Sequence, residues 1–152
     1  MILEIRKIGD PVLKQKAQKV DKVDSKIKRL VEDMIETMKF ANGVGLAAPQ
    51  VGEPLRVIVV DYENKPIAFI NPEILEAEGE TIDLEGCLSV PGIELKIKRY
   101  ERIVFKAQDL NGKVKKYGAK GLLARVIQHE IDHLDGVLIV DRGITEEVGN
   151  NI

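Results

Sequence analysis

A chain of 152 residues is the size of one domain, and it can bury about two-thirds of the surface its unfolded form exposes, enough for a core without covalent staples. Charged residues make up 32% and hydrophobic ones 44%, with a formal net charge of -2, which gives no support to a general nucleic-acid or membrane-surface binder. A single cysteine excludes an intramolecular disulfide and fits a reducing cytoplasm. The longest aliphatic runs, such as Val57-Ile58-Val59-Val60, are strand-sized and fall short of the about 20 residues that span a bilayer. The start, Met1 to Arg6, has no apolar signal-peptide segment. One cytoplasmic domain over 1–152, ending in a short polar tail at 143–152, is expected.

In chain order, Gly9-Asp10-Pro11-Val12-Leu13 reads as a turn into a short helical piece, with Lys14, Lys16 and Lys19 as solvated surface. A helix follows, capped by Asp24 or Ser25, with Ile27, Leu30, Val31, Met34, Ile35 and Met38 at helical spacing and Asn42-Gly43 as its stop. Its methionine stripe is core packing. Gly43 to Gln50 is dense in small residues. It lacks the Gly-Lys-Ser/Thr ending of a phosphate loop and reads as a tight loop where two backbones approach closely. Strands are expected over 56–62 and 67–70, the second ended by Asn71-Pro72. Further strands are expected over 96–99, 102–109 and 113–117, the last two joined at Asn111-Gly112. Gly121 to Ile127 leads into a second helix, apolar on several sides and therefore running through the core. A strand over 137–140 closes the chain. Mostly antiparallel strands around one central helix, with an additional N-terminal helix, make an α+β fold.

The central helix carries Gln128-His129-Glu130-Ile131-Asp132-His133, which holds both histidines of the chain in one HExxH. On a helix His129 and His133 project from one face. Two imidazoles can then bind one metal ion while Glu130 reaches a water on that ion as general base. A catalytic site of this kind needs a third donor. The extended protease pattern would put a histidine at position 139, which is Ile139. Glu146 and Glu147, in the polar tail, are unattractive donors. The remaining soft donor is Cys87 in Glu85-Gly86-Cys87-Leu88-Ser89, so a site of two histidines and one thiolate with an open position is the economical inference.

Three motifs stand in order: GVGLAAPQ at 43–50, EGCLS at 85–89 and QHEIDH at 128–133. In this combination the chain resembles the peptide deformylase family over nearly its whole length. The resemblance implies removal of the N-formyl group from the initiator formyl-methionine of new bacterial proteins, with Cys87, His129 and His133 as metal ligands and Glu130 as acid/base. It implies that the Gln50 amide and the Leu88 backbone N–H stabilise the oxyanion. It also implies Fe2+ as the native ion, with Zn2+, Ni2+ or Co2+ able to replace it. Imidazole and thiolate by themselves suit both iron and zinc.

Around that centre, Glu85 and Arg99 are expected to pair and fix the Cys87 loop, and Asp132 to orient an imidazole unless a backbone carbonyl does so. The methionine side chain is expected in a pocket lined by Val44, Leu122, Val126 and the ring of His129 and bordered by Arg125, whose aliphatic stem packs there while its charge stays in water. The neighbourhood of Gly45 and the segment after Cys87 are the two walls that the resemblance implies for the extended peptide. Formyl-methionyl nascent peptides, held largely through main-chain hydrogen bonds, are the expected partner. Ribosome association is expected to be weak because the tail at 143–152 is short, and nucleic-acid specificity and membrane binding are not expected. Two alternatives share part of the pattern. An HExxH metalloprotease lacks its ligand at position 139 and leaves EGCLS unexplained, and a non-enzymatic metal-binding module needs a fourth donor.

Overall fold

The computed structural model describes residues 1–144. The polar tail beyond, with the expectation about ribosome association that rested on it, lies outside the described residues, as do Glu146 and Glu147.

Helix α1, Ser25–Phe40, begins where the Asp24 carboxylate accepts hydrogen bonds from the backbone N–H groups of Lys26 and Ile27, satisfying two of the amides that a helix start leaves open. Of the two caps the sequence offered, Asp24 is the one used. Ile27, Val31, Met34 and Met38 form the buried stripe. The next segment gives strand β1, Gly45–Ala47, followed by a 3-10 turn at Ala48–Val51. What reads as a loop in sequence is thus an edge strand, since small residues hide their β pattern.

Strand β2, Val57–Tyr62, pairs with β1 on one side and with β3, Lys65–Glu78, on the other. Its run Val57-Ile58-Val59-Val60 has no exposed surface at all. Successive side chains on a strand point to opposite faces. Val57 and Val59 therefore join Leu46, Ile70 and the α1 stripe, while Ile58 and Val60 face a second cluster built on the later helix. An uninterrupted aliphatic run is what a strand covered on both faces requires. Each such side chain contributes about 1.5–3 kcal/mol relative to exposure.

Strand β6, Arg102–Gln108, and strand β7, Val114–Lys120, complete an antiparallel sheet in the order β1-β2-β3-β6-β7. Strands β4, Thr81–Cys87, and β5, Val90–Arg99, form a separate hairpin. Helix α2, Gly121–Leu134, lies on the opposite face of the sheet from α1, where Ala124, Ile127, Ile131 and Leu134 pack against Ile58, Phe69 and Phe105. Phe69, Phe105 and Tyr117 meet there with ring centroids 5.1–5.2 Å apart. The layering is α1, sheet, α2, in agreement with the α+β expectation. Gly136 (φ +74) follows the end of α2 at a point where an added Cβ would sit 2.5 Å from the Lys14 carbonyl oxygen. Only glycine fits both the backbone angle and the contact.

Asn71-Pro72 and residues 137–140 also differ from the sequence reading. Asn71-Pro72 does not end β3. The strand continues to Glu78 through a register shift between Ile70 and Glu73, with Asn71 at φ 54. A bulge tolerates both a left-handed Asn and a Pro without an N–H. Residues 137–140 are not a strand either. Ile139–Arg142 is a single helical turn, α3, whose Asp141 carboxylate accepts from the Leu138 N–H. A four-residue apolar run is compatible with both states, and the local cap decides.

The bulge gives a testable consequence. Asn71 accepts from the Val20 N–H at 2.8 Å, donates to the Val20 carbonyl at 2.8 Å and donates to Gln108 at 2.7 Å. Asn71→Ala removes these bonds and puts a Cβ-branchless but non-amide residue at a left-handed angle, so a loss of about 2–3 kcal/mol is expected in urea unfolding of the protein.

Candidate metal and catalytic centre

Helix α2 places His129 and His133 one turn apart with ring centroids 5.1 Å apart. Cys87 arrives from the end of β4, just before the turn at Leu88 and Ser89 that leads into β5. One ligand atom from each of Cys87, His129 and His133 lies within 4.8 Å of the others. The Cys87 sulfur is 3.4 Å from His133 Nε2, close to the about 3.6 Å edge that metal–sulfur and metal–nitrogen bonds of normal length define in a tetrahedron. The donor set therefore fits one divalent ion. Among the described residues no fourth His, Cys, Asp or Glu joins the cluster, which leaves a position open, unlike a closed structural site.

Glu85 orients the first histidine. His129 Nδ1 donates to Glu85 Oε1 at 2.8 Å, which turns Nε2 toward Cys87 and His133. Arg99 forms a two-pronged pair with the same carboxylate, at 2.9 Å on each prong. Both side chains are buried, so the expected pair forms out of water rather than on the surface. Asp132 was expected to orient an imidazole and does not. It accepts from Arg99 and from Arg142 instead. It points along the helix flank toward β5 and α3, and Glu85 has taken the imidazole. His133 Nδ1 is buried without a partner among the described residues.

Arg125 is the second correction. Its guanidinium does not stay in water. It is buried, donating to Glu85 Oε2 at 2.6 Å, to the Ile97 carbonyl at 3.0 Å and to the Thr81 carbonyl at 3.0 Å. Three acceptors from the β4–β5 hairpin compensate its desolvation, which the amphipathic pattern of α2 could not reveal. Arg142 was not singled out in the sequence at all, because its partner Asp132 is met only when α3 folds back on α2.

Burial alone pushes the Glu85 carboxyl up, but the hydrogen bonds and charges of Arg99 and His129 outweigh it and hold Glu85 well below the usual carboxylate range. Burial pushes Glu130 up to about 7 against the lowering influence of His129 and Arg99. Burial would lower His129, yet its hydrogen bonds to Cys87 and Glu85 raise it to about 10, so binding a cation must displace its Nε2 proton. His133 is held well below its ordinary value by burial and by the His129 and Arg99 charges.

Glu130 lies inside this centre with Oε1 buried and unpartnered among the described residues. A Cβ at Gly45 would stand 2.5 Å from Glu130 Oε2 and 2.9 Å from Val126. The close backbone approach read from GVGLAAPQ is therefore the contact of β1 with the catalytic helix. Gln50 is buried in the 3-10 turn after β1, its Nε2 directed toward the Cys87 sulfur at 3.8 Å and donating to Ser89 Oγ at 3.1 Å. A cleft of about 510 Å³ opens onto these groups, and Val44, Gly45, Gln50, Leu88, Leu122, Arg125, Val126, His129 and Glu130 are among its lining residues. Val44 and Leu122 are exposed at its rim rather than part of the core. A larger hollow of about 660 Å³ between the ends of β3 and β7 contains no histidine or cysteine.

An antiparallel sheet backing an HExxH helix, with a cysteine-bearing hairpin closing the cluster and a cleft leading to a buried glutamate, is the architecture of a metal-dependent hydrolase. The model of the polypeptide deformylase family matches residues 2–148. Peptide deformylase of Dictyoglomus turgidum is 75% identical over 146 residues, covering 96% of this chain and 95% of that protein. That of Thermodesulfovibrio yellowstonii is 51% identical, covering 93% and 88%. The crystal structure of peptide deformylase from Thermotoga maritima superposes with a TM-score of 0.93 at 49% identity, covering 95% of this chain and 99% of that one. The chain belongs to the peptide deformylase family, whose members remove the N-formyl group from nascent peptides.

The charge state of Glu85 sets an acid dependence. Its folded value lies below the unfolded 4.5, so its contribution to stability is full above about pH 4.5. Below that it shrinks by ~1.4 kcal/mol per pH unit and is gone once pH falls through the folded value. In unfolding titrations of wild type and Glu85→Gln, the gap between the two should be level between about pH 5 and 6, below the range in which His129 titrates, and narrow steadily from pH 4.5 downward. A gap independent of pH over that window would contradict the assignment.

Proposed function

We propose that the chain acts as one catalytic domain and that formyl hydrolysis is carried out by Cys87, His129 and His133 as metal ligands, with Glu130 as acid/base and Gln50 and the Leu88 backbone N–H as oxyanion donors. The observation that carries this reading is the buried Glu130 carboxylate, with one oxygen unpartnered, beside the three-donor cluster at the foot of an open cleft. A bound divalent ion supplies Lewis acidity, which makes water nucleophilic at neutral pH.

Glu130 takes a proton from the attacking water and later gives it to the leaving amine nitrogen, so formate and a free methionine amino terminus result. A carboxyl raised to about 7 is matched to both halves of that transfer. Gln50 and Leu88 donate to the oxygen that gains charge as the formyl carbon becomes tetrahedral, and such donors contribute about 3 to 4 kcal/mol each. Gly45, which lines the cleft beside Glu130, meets the helix without a side chain, so backbone packs directly against the carboxyl.

The formyl-methionyl peptide lies extended between β1 and the segment after Cys87. Strand β1 is the first strand of the sheet and pairs only with β2, so its outer edge is suited to main-chain hydrogen bonds that ignore side-chain identity. The methionine side chain enters between Val44, Leu122, Val126 and the His129 ring. Arg125 forms part of that wall through its stem while its charge is held by Glu85. No helix among the described residues is long and apolar enough to cross a membrane, consistent with action on chains leaving a bacterial ribosome in the cytoplasm. Two imidazoles and one thiolate suit Fe2+, with Zn2+, Ni2+ and Co2+ as substitutes.

Glu130→Gln tests the proton-transfer role. Metal content and fold should be retained while kcat for formate release from a formyl-methionyl peptide falls about 10²- to 10⁴-fold. A defect confined to KM would contradict it.

Oxygen tests the metal. Protein loaded anaerobically with Fe2+ should lose activity in air as the iron oxidises and the Cys87 thiolate is attacked, whereas the Zn2+ form should survive. Formate release, followed with the mass of the Cys87 peptide, reads both. Equal air stability with Cys87 unmodified would remove the oxygen sensitivity and leave hydrolysis in place.

A further inference from the structure

We infer that Ser89 is a positioning residue for the reaction: its hydroxyl fixes the side-chain amide of Gln50 so that one N–H of that amide is left for the developing oxyanion. The inference rests on the reading of Gln50 as an oxyanion donor. Ser89 has no exposed surface and Gln50 is 2% exposed, so their hydrogen bond is shielded from bulk water.

The amide is gripped at both ends. The Ala47 backbone N–H donates to Gln50 Oε1 at 2.9 Å, which settles which end is oxygen and directs the NH2 group toward the centre. Ser89 Oγ accepts from Nε2 at 3.1 Å, and Nε2 stands 3.8 Å from the Cys87 sulfur. An amide has two N–H bonds in one plane. With one committed to Ser89, the other makes only a long 3.8 Å contact with the Cys87 sulfur, a partner that an oxyanion in the cleft can replace. The terminal torsion of a Gln side chain is broad, so a grip on the oxygen alone leaves the plane free to rock. The second grip removes that freedom before substrate arrives, and such preorganisation is what gives an oxyanion donor its effect.

The backbones carrying the two residues are themselves held in register. Arg6 N–H donates to the Gln50 carbonyl at 2.7 Å, and Ile8 N–H donates to the Ser89 carbonyl at 2.8 Å. Alternate amides of one extended N-terminal segment thus tie the turn after β1 to the turn after β4. Those chain positions are 39 apart, and nothing else in the mechanism requires Ser89 to face Gln50.

The test is a double-mutant cycle on the metal-loaded protein. Gln50→Ala should lower kcat about 10²- to 10³-fold, as loss of one oxyanion donor does. Ser89→Ala should lower kcat roughly tenfold, part of that donor's effect, with KM and metal content within about twofold of wild type. In the Gln50→Ala background Ser89→Ala should change kcat by less than about twofold. Independently of activity, the side-chain amide hydrogens of Gln50 should exchange with D2O faster in Ser89→Ala than in wild type, in metal-free protein as well. If Ser89→Ala does not fold, Ser89→Gly takes its place in the cycle, since it removes the hydroxyl and adds no atom. Wild-type kcat in Ser89→Ala overturns the inference, and so does an equal fall in both Gln50 backgrounds, which marks a purely structural role. Unchanged kcat in Gln50→Ala overturns the reading of Gln50 itself, and this inference with it.

Discussion

The carboxylate of Glu85 holds the molecule's functional half together. It receives His129 Nδ1 and an Arg99 nitrogen on one oxygen, and a second Arg99 nitrogen and Arg125 on the other. An ionised group buried with fewer partners would be strongly unfavourable, whereas one with every acceptor site filled is tolerated and directional. Because these donors come from β5 and from two successive turns of α2, one side chain fixes the thiolate hairpin against the helix that carries both imidazoles. The hairpin shares no ladder with the main sheet. Its attachment rests on this polar junction, on the small apolar cluster of Val90, Ile97 and Ile139, and on the hydrogen bonds that Ser89 receives from Ile8 and Gln50.

That junction also explains how a helix with buried charge runs through the core. Arg125, Gln128, Glu130 and His133 are all buried on α2 beside Ala124, Ile127 and Leu134. The apolar residues face the sheet, and the polar ones face the hairpin and β1. Gln128 is satisfied by both backbone groups of Tyr100, and Arg125 by Glu85 and two carbonyls. Glu130 alone keeps an oxygen unpartnered. His133 Nδ1 is the other buried side-chain atom of α2 without a partner among the described residues, so both exceptions lie at the three-donor cluster, the pattern of a site prepared for a reacting group.

The two sides of the cleft differ in construction. The β1 side is backbone and small residues, pressed so close to α2 that Gly45 admits no side chain. The hairpin side supplies Cys87, Leu88 and Ser89 from one turn. A rigid inner wall and an edge strand suit a substrate recognised through its main chain, with selectivity confined to the one pocket that the aliphatic residues of α2 border.

Sequence by itself determined the elements whose signal is local. The Asp24 cap and methionine stripe of α1, the doubly buried β2 run and the HExxH helix are each set by residues near one another in the chain. The proposed metal donors were legible too, because helical geometry pairs His129 with His133 and only one cysteine exists to join them. Tertiary structure alone decided what depends on residues far apart in sequence. Asn71-Pro72 becomes a bulge because Val20 and Gln108 receive the Asn71 amide. Asp132 turns to Arg99 and Arg142 because Glu85 already occupies His129. Arg125 is buried because Glu85 and two hairpin carbonyls converge on it. Hydrophobic periodicity states which face is inside, but a buried charge is permitted only by partners that the fold brings together.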